Sequence, residues 1–415
     1  MSQKSARVDW LNLLKIIAFL CVFLLHTKIF LPMPWNENVP WAWVLYTPAW
    51  GAVWIFIVLS GYGIGRGFYA GRYEVSAKGI VRYWIKRLLK IVPVYWFFVF
   101  SVALFVNPVL LTPTKESVSH LLSLLFFNYY SNFDSLTFGA AWYLTTLMRL
   151  YILAPLVFLL LRKIKSLRVN HVFLFALLAA GLVARIGMKA YISRFSGSWN
   201  FDVYVPFYFN LDVFFCGFLL ANPEYRQKHR ATRLGRASAF LLMMVLILFN
   251  SKLYYDGIYQ ENTFYIELYQ YLFPTIYCLA VLYYIYEFDV CSTVPYKSCS
   301  PHKLKRAVVW SVKHFALIQL PIYLYHPVIL QCLLNVYKDE VYSEYVTFLG
   351  VSTKYASFAK GCCFTVQALV LSLLWAVIVA VLFSGGFKKK GDQLLDTPLL
   401  DRCWDKMKQK WSQRF

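Results

Sequence analysis

The chain of 415 residues is 60% apolar and only 15% charged, with a mean hydropathy of +0.53. A soluble protein carries roughly a quarter charged residues, so the composition excludes an ordinary soluble domain. The formal charge of +22 falls in clusters between apolar runs, which is a topology signal rather than a nucleic-acid-binding face.

Apolar runs near the ~20 residues needed to cross a hydrocarbon core recur along the chain. In lipid each such run must satisfy its own backbone groups, so each is predicted to be a helix. The expected class is an all-α polytopic transmembrane bundle of about ten spans. In order they fall at 10–30, 43–65, 91–111, 139–161, 170–187, 206–221, 237–250, 266–286, 315–336 and 362–384, with 206–221 and 237–250 the shortest. The first run is too long for a signal-peptide core and lacks a small-residue cleavage site. Val118–Phe127 is apolar but too short to span, so it is expected to lie at the outer surface or to re-enter the bundle. No internal repeat and no second domain is visible; residues 1–387 read as one membrane domain and 388–415 as a basic cytoplasmic tail.

Lys and Arg alternate between loops. One set holds Lys4 and Arg7, seven between Arg66 and Lys90, four in Arg162–Arg168, five in Arg226–Arg236, five in Lys297–Lys313 and eight from Lys388 onward. The intervening loops hold three at most. The positive-inside rule then puts both termini in the cytoplasm. The nine cysteines show no CxxC pair and no metal-ligand spacing. Free thiols are expected, with a disulfide among Cys332, Cys362 and Cys363 as the alternative.

Ionisable groups inside a membrane are costly and therefore functional suspects. In the first span Lys15 and His26 are eleven residues apart, which at about 100° and ~1.5 Å per residue returns to one face over roughly 16 Å. A long anionic-headed ligand along that face would meet both; the structural alternative is a snorkelling Lys and a His bonded to a carbonyl. Before Pro93, the segment Arg82-Tyr83-Trp84-Ile85-Lys86-Arg87-Leu88-Leu89-Lys90 sets Arg87 and Lys90 at i, i+3. Such paired cations suit phosphates, or form an ordinary positive-inside cluster. Ser60-Gly61-Tyr62-Gly63-Ile64-Gly65-Arg66-Gly67 offers small residues for close helix packing or turns that cradle phosphate. Trp142 and Tyr143 open the fourth span, which carries Arg149, Tyr151 and Pro155. In the ninth, Tyr323-Leu324-Tyr325-His326-Pro327 makes His326 either a site residue or a kink partner bonded to a carbonyl that the proline frees. Outer-loop Trp35, Trp41, Trp43, Tyr129, Tyr130, Asn132 and Trp199 could stack on sugars or anchor the interface. Asp202 and Asp212, near Arg185, either orient hydroxyls or form ion pairs.

In this order, the motifs resemble the acyltransferase-3 family of membrane O-acyltransferases over most of the chain. The resemblance rests on Lys15 and His26 as the cation-x10-His of helix one, Ile55–Gly61 closing helix two, Arg87 and Lys90 with Pro93 and Tyr95 before helix three, Trp142, Tyr151 and Pro155, and the late Tyr-Leu-x-His ending at His326. Lys stands for the commoner Arg at 15 and 90, and Asn12 for the commoner Asp; Lys lacks the planar fork of Arg. The resemblance implies transfer of an acyl group, usually acetyl, from cytoplasmic coenzyme A to a hydroxyl of a cell-surface polysaccharide or glycolipid, in a bacterial inner membrane. It implies acyl-CoA as co-substrate, no resident cofactor, no metal and no nucleic acid. Arg82, Lys86, Arg87 and Lys90, with Ser60 and Gly61, would bind the donor. Lys15 would read its pyrophosphate or pantetheine part. His26 would act as general base or covalent relay. Trp142, Tyr151, Arg149, His326, Asp202 and Asp212 would support the acceptor. The rival readings are a transporter or flippase of lipid-linked saccharides, against which stands the lack of a repeat, and a membrane glycosyltransferase, which lacks an acidic metal-binding cluster.

Overall fold

The computed structural model describes residues 9–30, 41–47, 49–128, 138–139, 141–163, 166–195, 200–227, 232–259, 270–290, 303–336 and 356–384. Trp35, Tyr129, Tyr130, Asn132, Trp199 and the segment 388–415 lie outside them. Among the described residues the fold is all helical, with α1 Trp10–Phe30, α2 Ala49–Tyr69, α3 Ala77–Phe105, α4 Lys115–Leu125, α5 Ala141–Leu161 and α6 Leu167–Phe195. It continues with α7 Leu211–Leu220, α8 Arg233–Tyr259, α9 Phe273–Ile285, α10 Lys303–Val336 and α11 Ala356–Ser384.

Eight of these helices are long and apolar enough to cross a membrane. The expected spans 206–221 and 266–286 appear instead as short helices. α7 follows a 3-10 turn at Phe207–Asn210, and α9 continues into a wider turn at Tyr286–Val290. Every residue of α7 except Leu211 is buried, so protein rather than lipid surrounds it and irregular backbone at its ends is tolerated. Other helices outrun the expected spans. α3 begins at Ala77 because the Ser76 side chain accepts from the Gly79 N–H (3.0 Å) and caps it. α1 starts where Asp9 accepts from the backbone and the side-chain amide of Asn12 (3.0 and 2.9 Å).

α2 is the axis of the bundle, packed against α1, α5, α7 and α9. It stays helical to Tyr69, so its glycines lie inside the helix and form no phosphate-cradling turn. Their use is close approach. A Cβ on Gly61 would fall 1.9 Å from the Phe214 carbonyl oxygen, one on Gly65 would fall 2.6 Å from that of Phe218, and one on Gly217 would fall 2.2 Å from that of Val58. Two helices thus meet backbone to backbone, the arrangement that small residues permit in lipid.

Val118–Phe127 falls largely in α4. It runs back beside α3: the Tyr95 hydroxyl donates to the Leu124 carbonyl (2.9 Å) and the Trp96 indole N–H to that of Leu125 (3.0 Å). Both acceptors are carbonyls of the last helical turn, which has no intrahelical partners for them. Phe127 then takes a left-handed φ of 54° and lays its ring on Tyr95, with centroids 4.6 Å apart. The element lies along α3 at the edge of the bundle, with Ser117 and Leu124 its buried residues. The described cysteines are free, Cys332 exposed and Cys362 and Cys363 half-buried.

Replacing Gly61 by Val forces a branched side chain onto the Phe214 carbonyl. We expect a loss of at least ~1–3 kcal/mol, read as a lower unfolding midpoint in detergent, whereas Gly63→Val, with open space around it, should leave the midpoint near that of the parent.

Candidate active site

Tyr284 donates from its hydroxyl to the Trp10 carbonyl (3.1 Å), and Arg66 pairs with Asp289 (2.9 Å). The start of α1, the end of α2 and the end of α9 therefore share one end of the bundle, the end that holds the basic loops. Tyr62 also donates to Asp289. Local pattern holds no signal for this Tyr62–Arg66–Asp289 cluster, because Asp289 arrives from 223 residues away.

At that basic end, Arg87 turns inward from α3. Its guanidinium lies 5.5 Å from the ring centres of Tyr73, Tyr83 and Tyr151, and Nη2 donates to the Tyr73 hydroxyl. Its Nε is buried with no hydrogen-bond partner among the described residues. Lys86 and Lys90 are exposed and Arg82 is half-buried. Of the pair expected to project together, Arg87 is half-buried among aromatic rings and Lys90 is exposed. Tyr73 and Tyr83 complete this cage without having been singled out from sequence; Tyr83, inside the basic segment, was the available signal.

From the cage a series of polar groups leads away through the bundle. The Tyr151 hydroxyl interacts with Ser60, and Ser60 also with Tyr143. The ring of Tyr143 packs against that of Tyr323 at 5.3 Å, and Tyr323 lies 6.0 Å from His326. All four of these tyrosine and histidine side chains are buried.

The series ends on two histidines. His26 Nδ1 and His326 Nε2 are 2.7 Å apart, the ring planes differ by 10° and the centroids are 4.9 Å apart. Nitrogens this close cannot belong to planes stacked at van der Waals distance, about 3.5 Å, so the rings lie edge to edge in nearly one plane. His326 is fully buried, ringed by Phe19 (5.7 Å) and Phe23 (6.0 Å) of α1. His26, about a turn from the end of α1, is half-buried. The face of α1 anticipated from Lys15 and His26 is therefore real on the His26 side, since Phe19, Phe23 and His26 all meet α10. Lys15 is half-buried, with Asp9 as its electrostatic partner.

Beside the Tyr143–Tyr323 contact stands an aromatic wall. Tyr204 packs on Trp142 (4.7 Å), Trp54 (5.8 Å) and Trp50 (6.4 Å). Arg149 is held away from it, donating to Asn128 Oδ1 (2.8 Å) and lying 5.7 Å over Phe207. Asp202 is half-buried in the turn Asn200–Tyr204. Asp212 takes both guanidinium ends of Arg185 (3.0 and 2.7 Å), and Arg185 also donates to the Phe209 carbonyl and Thr275 (3.0 Å each). The two side chains are 1% and 2% exposed. Gly61 packs against α7, so of the small residues Ser60 alone reaches the polar series.

The family model of the acyltransferase-3 family, described as an acyltransferase domain, matches residues 8–385. The chain belongs to this family. It is a multi-pass membrane acyltransferase. No curated protein and no solved structure matches it.

The acyltransferase also holds a structural ion pair that can be tested apart from its chemistry. Breaking a buried, bidentate pair by removing one partner strands a charge and costs ~3–5 kcal/mol, whereas apolar replacement of both is often near neutral. Arg185→Met should therefore lower the unfolding midpoint in detergent sharply, and the double variant Arg185→Met, Asp212→Leu should recover most of the loss.

Proposed function

We propose that the protein transfers an acyl group, taken here as acetyl, from acyl-CoA at the basic end to a hydroxyl of a cell-surface glycan at the opposite end. The observation that carries this reading is the buried series from the Arg87 cage through Tyr151, Ser60, Tyr143 and Tyr323 to the His26–His326 pair. In this reading the bundle makes ten crossings, with the basic loops and both termini in the cytoplasm of a bacterial inner membrane.

Each group has a task in this account. Arg82, Lys86 and Lys90 attract the nucleotide phosphates at the surface, and Arg87, held in place by its three tyrosines, takes the phosphate nearest the bundle. Lys15 neutralises the donor further in. The pantetheine arm follows the tyrosine and serine hydroxyls, which offer hydrogen bonds without charge. The thioester then reaches His26, and the sugar packs against Trp142, Tyr204 and Trp54, whose flat faces suit a pyranose ring. His26 removes the proton from the acceptor hydroxyl as its oxygen attacks the thioester carbonyl. The C–S bond breaks, the C–O ester bond remains, and the proton passes from His26 to the departing thiolate, giving coenzyme A and the ester. A histidine fits because its ordinary pKa lies near the working pH.

With radiolabelled acetyl-CoA and membrane vesicles from the producing cells, His26→Ala should cut label transfer to glycan by roughly 10²–10⁴ with acetyl-CoA affinity unchanged. Full transfer by that variant would remove His26 from the reaction. Arg87→Ala should weaken acetyl-CoA binding by ~1.5–3 kcal/mol, the value of a hydrogen bond to a charged group; unaltered affinity would take Arg87 out of the donor site.

A further inference from the structure

Pro327 lies inside α10. With no N–H, it leaves the carbonyl four residues back, that of Tyr323, without its helical partner. That carbonyl does not go unbonded: the His326 Nδ1 lies 2.8 Å from it, and 3.2 Å from the carbonyl of Ile322. Carbonyl oxygens only accept hydrogen bonds. The proton on neutral His326 therefore sits on Nδ1, and its Nε2 carries a lone pair. That same Nε2 is 2.7 Å from His26 Nδ1, so His26 must supply the proton of this bond.

We infer that Pro327, through the carbonyl it frees and the imidazole of His326, fixes the proton of neutral His26 on Nδ1 and leaves Nε2 of His26 as the basic nitrogen. His326 is thus a positioning residue: it touches no reacting atom and acts by setting the tautomer and ring plane of its neighbour. The full burial of His326 keeps water from offering the ring another partner. Its Nδ1 being engaged by His326, the edge of His26 that bears Nε2 is the one left for substrate. The consequence for catalysis rests on the reading of His26 as general base. Nε2 takes the proton from the acceptor hydroxyl, the imidazolium keeps its Nδ1–H bonded to His326, and Nε2 then returns its proton to the coenzyme A thiolate.

The two amide residues separate this role from mere packing. An Asn amide ends near the position of a histidine Nδ1, so His326→Asn can still donate to the Tyr323 carbonyl but offers His26 no acceptor. A Gln amide reaches the position of Nε2, so the oxygen of His326→Gln can accept from His26. In vesicles from the producing cells supplied with radiolabelled acetyl-CoA, His326→Asn should lose about a hundredfold in label transfer, with acetyl-CoA affinity intact, and His326→Gln should recover most of it. Equal activity of both variants with the parent would overturn the proposal, as would equal loss in both. Nitrogen-15 NMR of histidine-labelled parent protein, with the His26 signal identified by its absence in His26→Ala, supplies a readout independent of turnover and of variant folding. A protonated Nδ1 and bare Nε2 on His26 is the expected result, and a proton on Nε2 contradicts it. Were His26→Ala to transfer normally, the base assignment would fall while the NMR result still decided the tautomer.

Discussion

Helices in lipid gain little from burying apolar side chains against each other, so what brings them together is close packing and hydrogen bonding. In this protein the deciding contact is between α2 and α7, where Gly61, Gly65 and Gly217 each face a carbonyl oxygen of the other helix. No side chain fits there. The approach draws α7, too short to be a comfortable membrane span, into the middle of the bundle. It also sets the rotation of α2, so that Ser60, next to Gly61, turns toward Tyr143 and Tyr151 of α5. The polar series through the bundle depends on that rotation.

That series is built almost entirely from neutral groups. Burying an unpaired charge is expensive, whereas a buried hydroxyl or imidazole needs only its hydrogen bonds satisfied. Arg87 stands at its basic end with three aromatic faces around it. The charge pair of Arg185 and Asp212 is kept off the path and is closed by two further hydrogen bonds, to Phe209 and Thr275. At the other end a backbone carbonyl takes the place that a carboxylate would otherwise fill in orienting a histidine. A carbonyl brings direction without a second charge, which suits a site inside a membrane.

Much of this was legible in the sequence, because it follows from local periodicity. Run length located the long helices, and His26 marked the face of α1 that meets α10. His326 next to Pro327 announced a side chain able to capture a freed carbonyl, and it does so. What pattern could not supply is pairing at long range. His26 and His326 are 300 residues apart, and Tyr151 reaches Arg87 from two helices further on. One local reading was narrowed by the fold: the glycines of α2 serve helix packing, because the helix continues through them. The short spans were hard to delimit for a related reason. α7 is enclosed by protein, so neither its length nor its apolarity is set by the thickness of lipid.

The central claim is that donor and acceptor meet from opposite faces of the membrane, the donor at the end that carries the basic loops. Sealed vesicles of known orientation, prepared from the producing cells and given membrane-impermeant radiolabelled acetyl-CoA from outside, test this directly. Inside-out vesicles, with the cytoplasmic face exposed, should esterify glycan on their lumenal side, and right-side-out vesicles should do so only after permeabilisation. Label transfer by intact right-side-out vesicles, with none in sealed inside-out ones, would contradict the account.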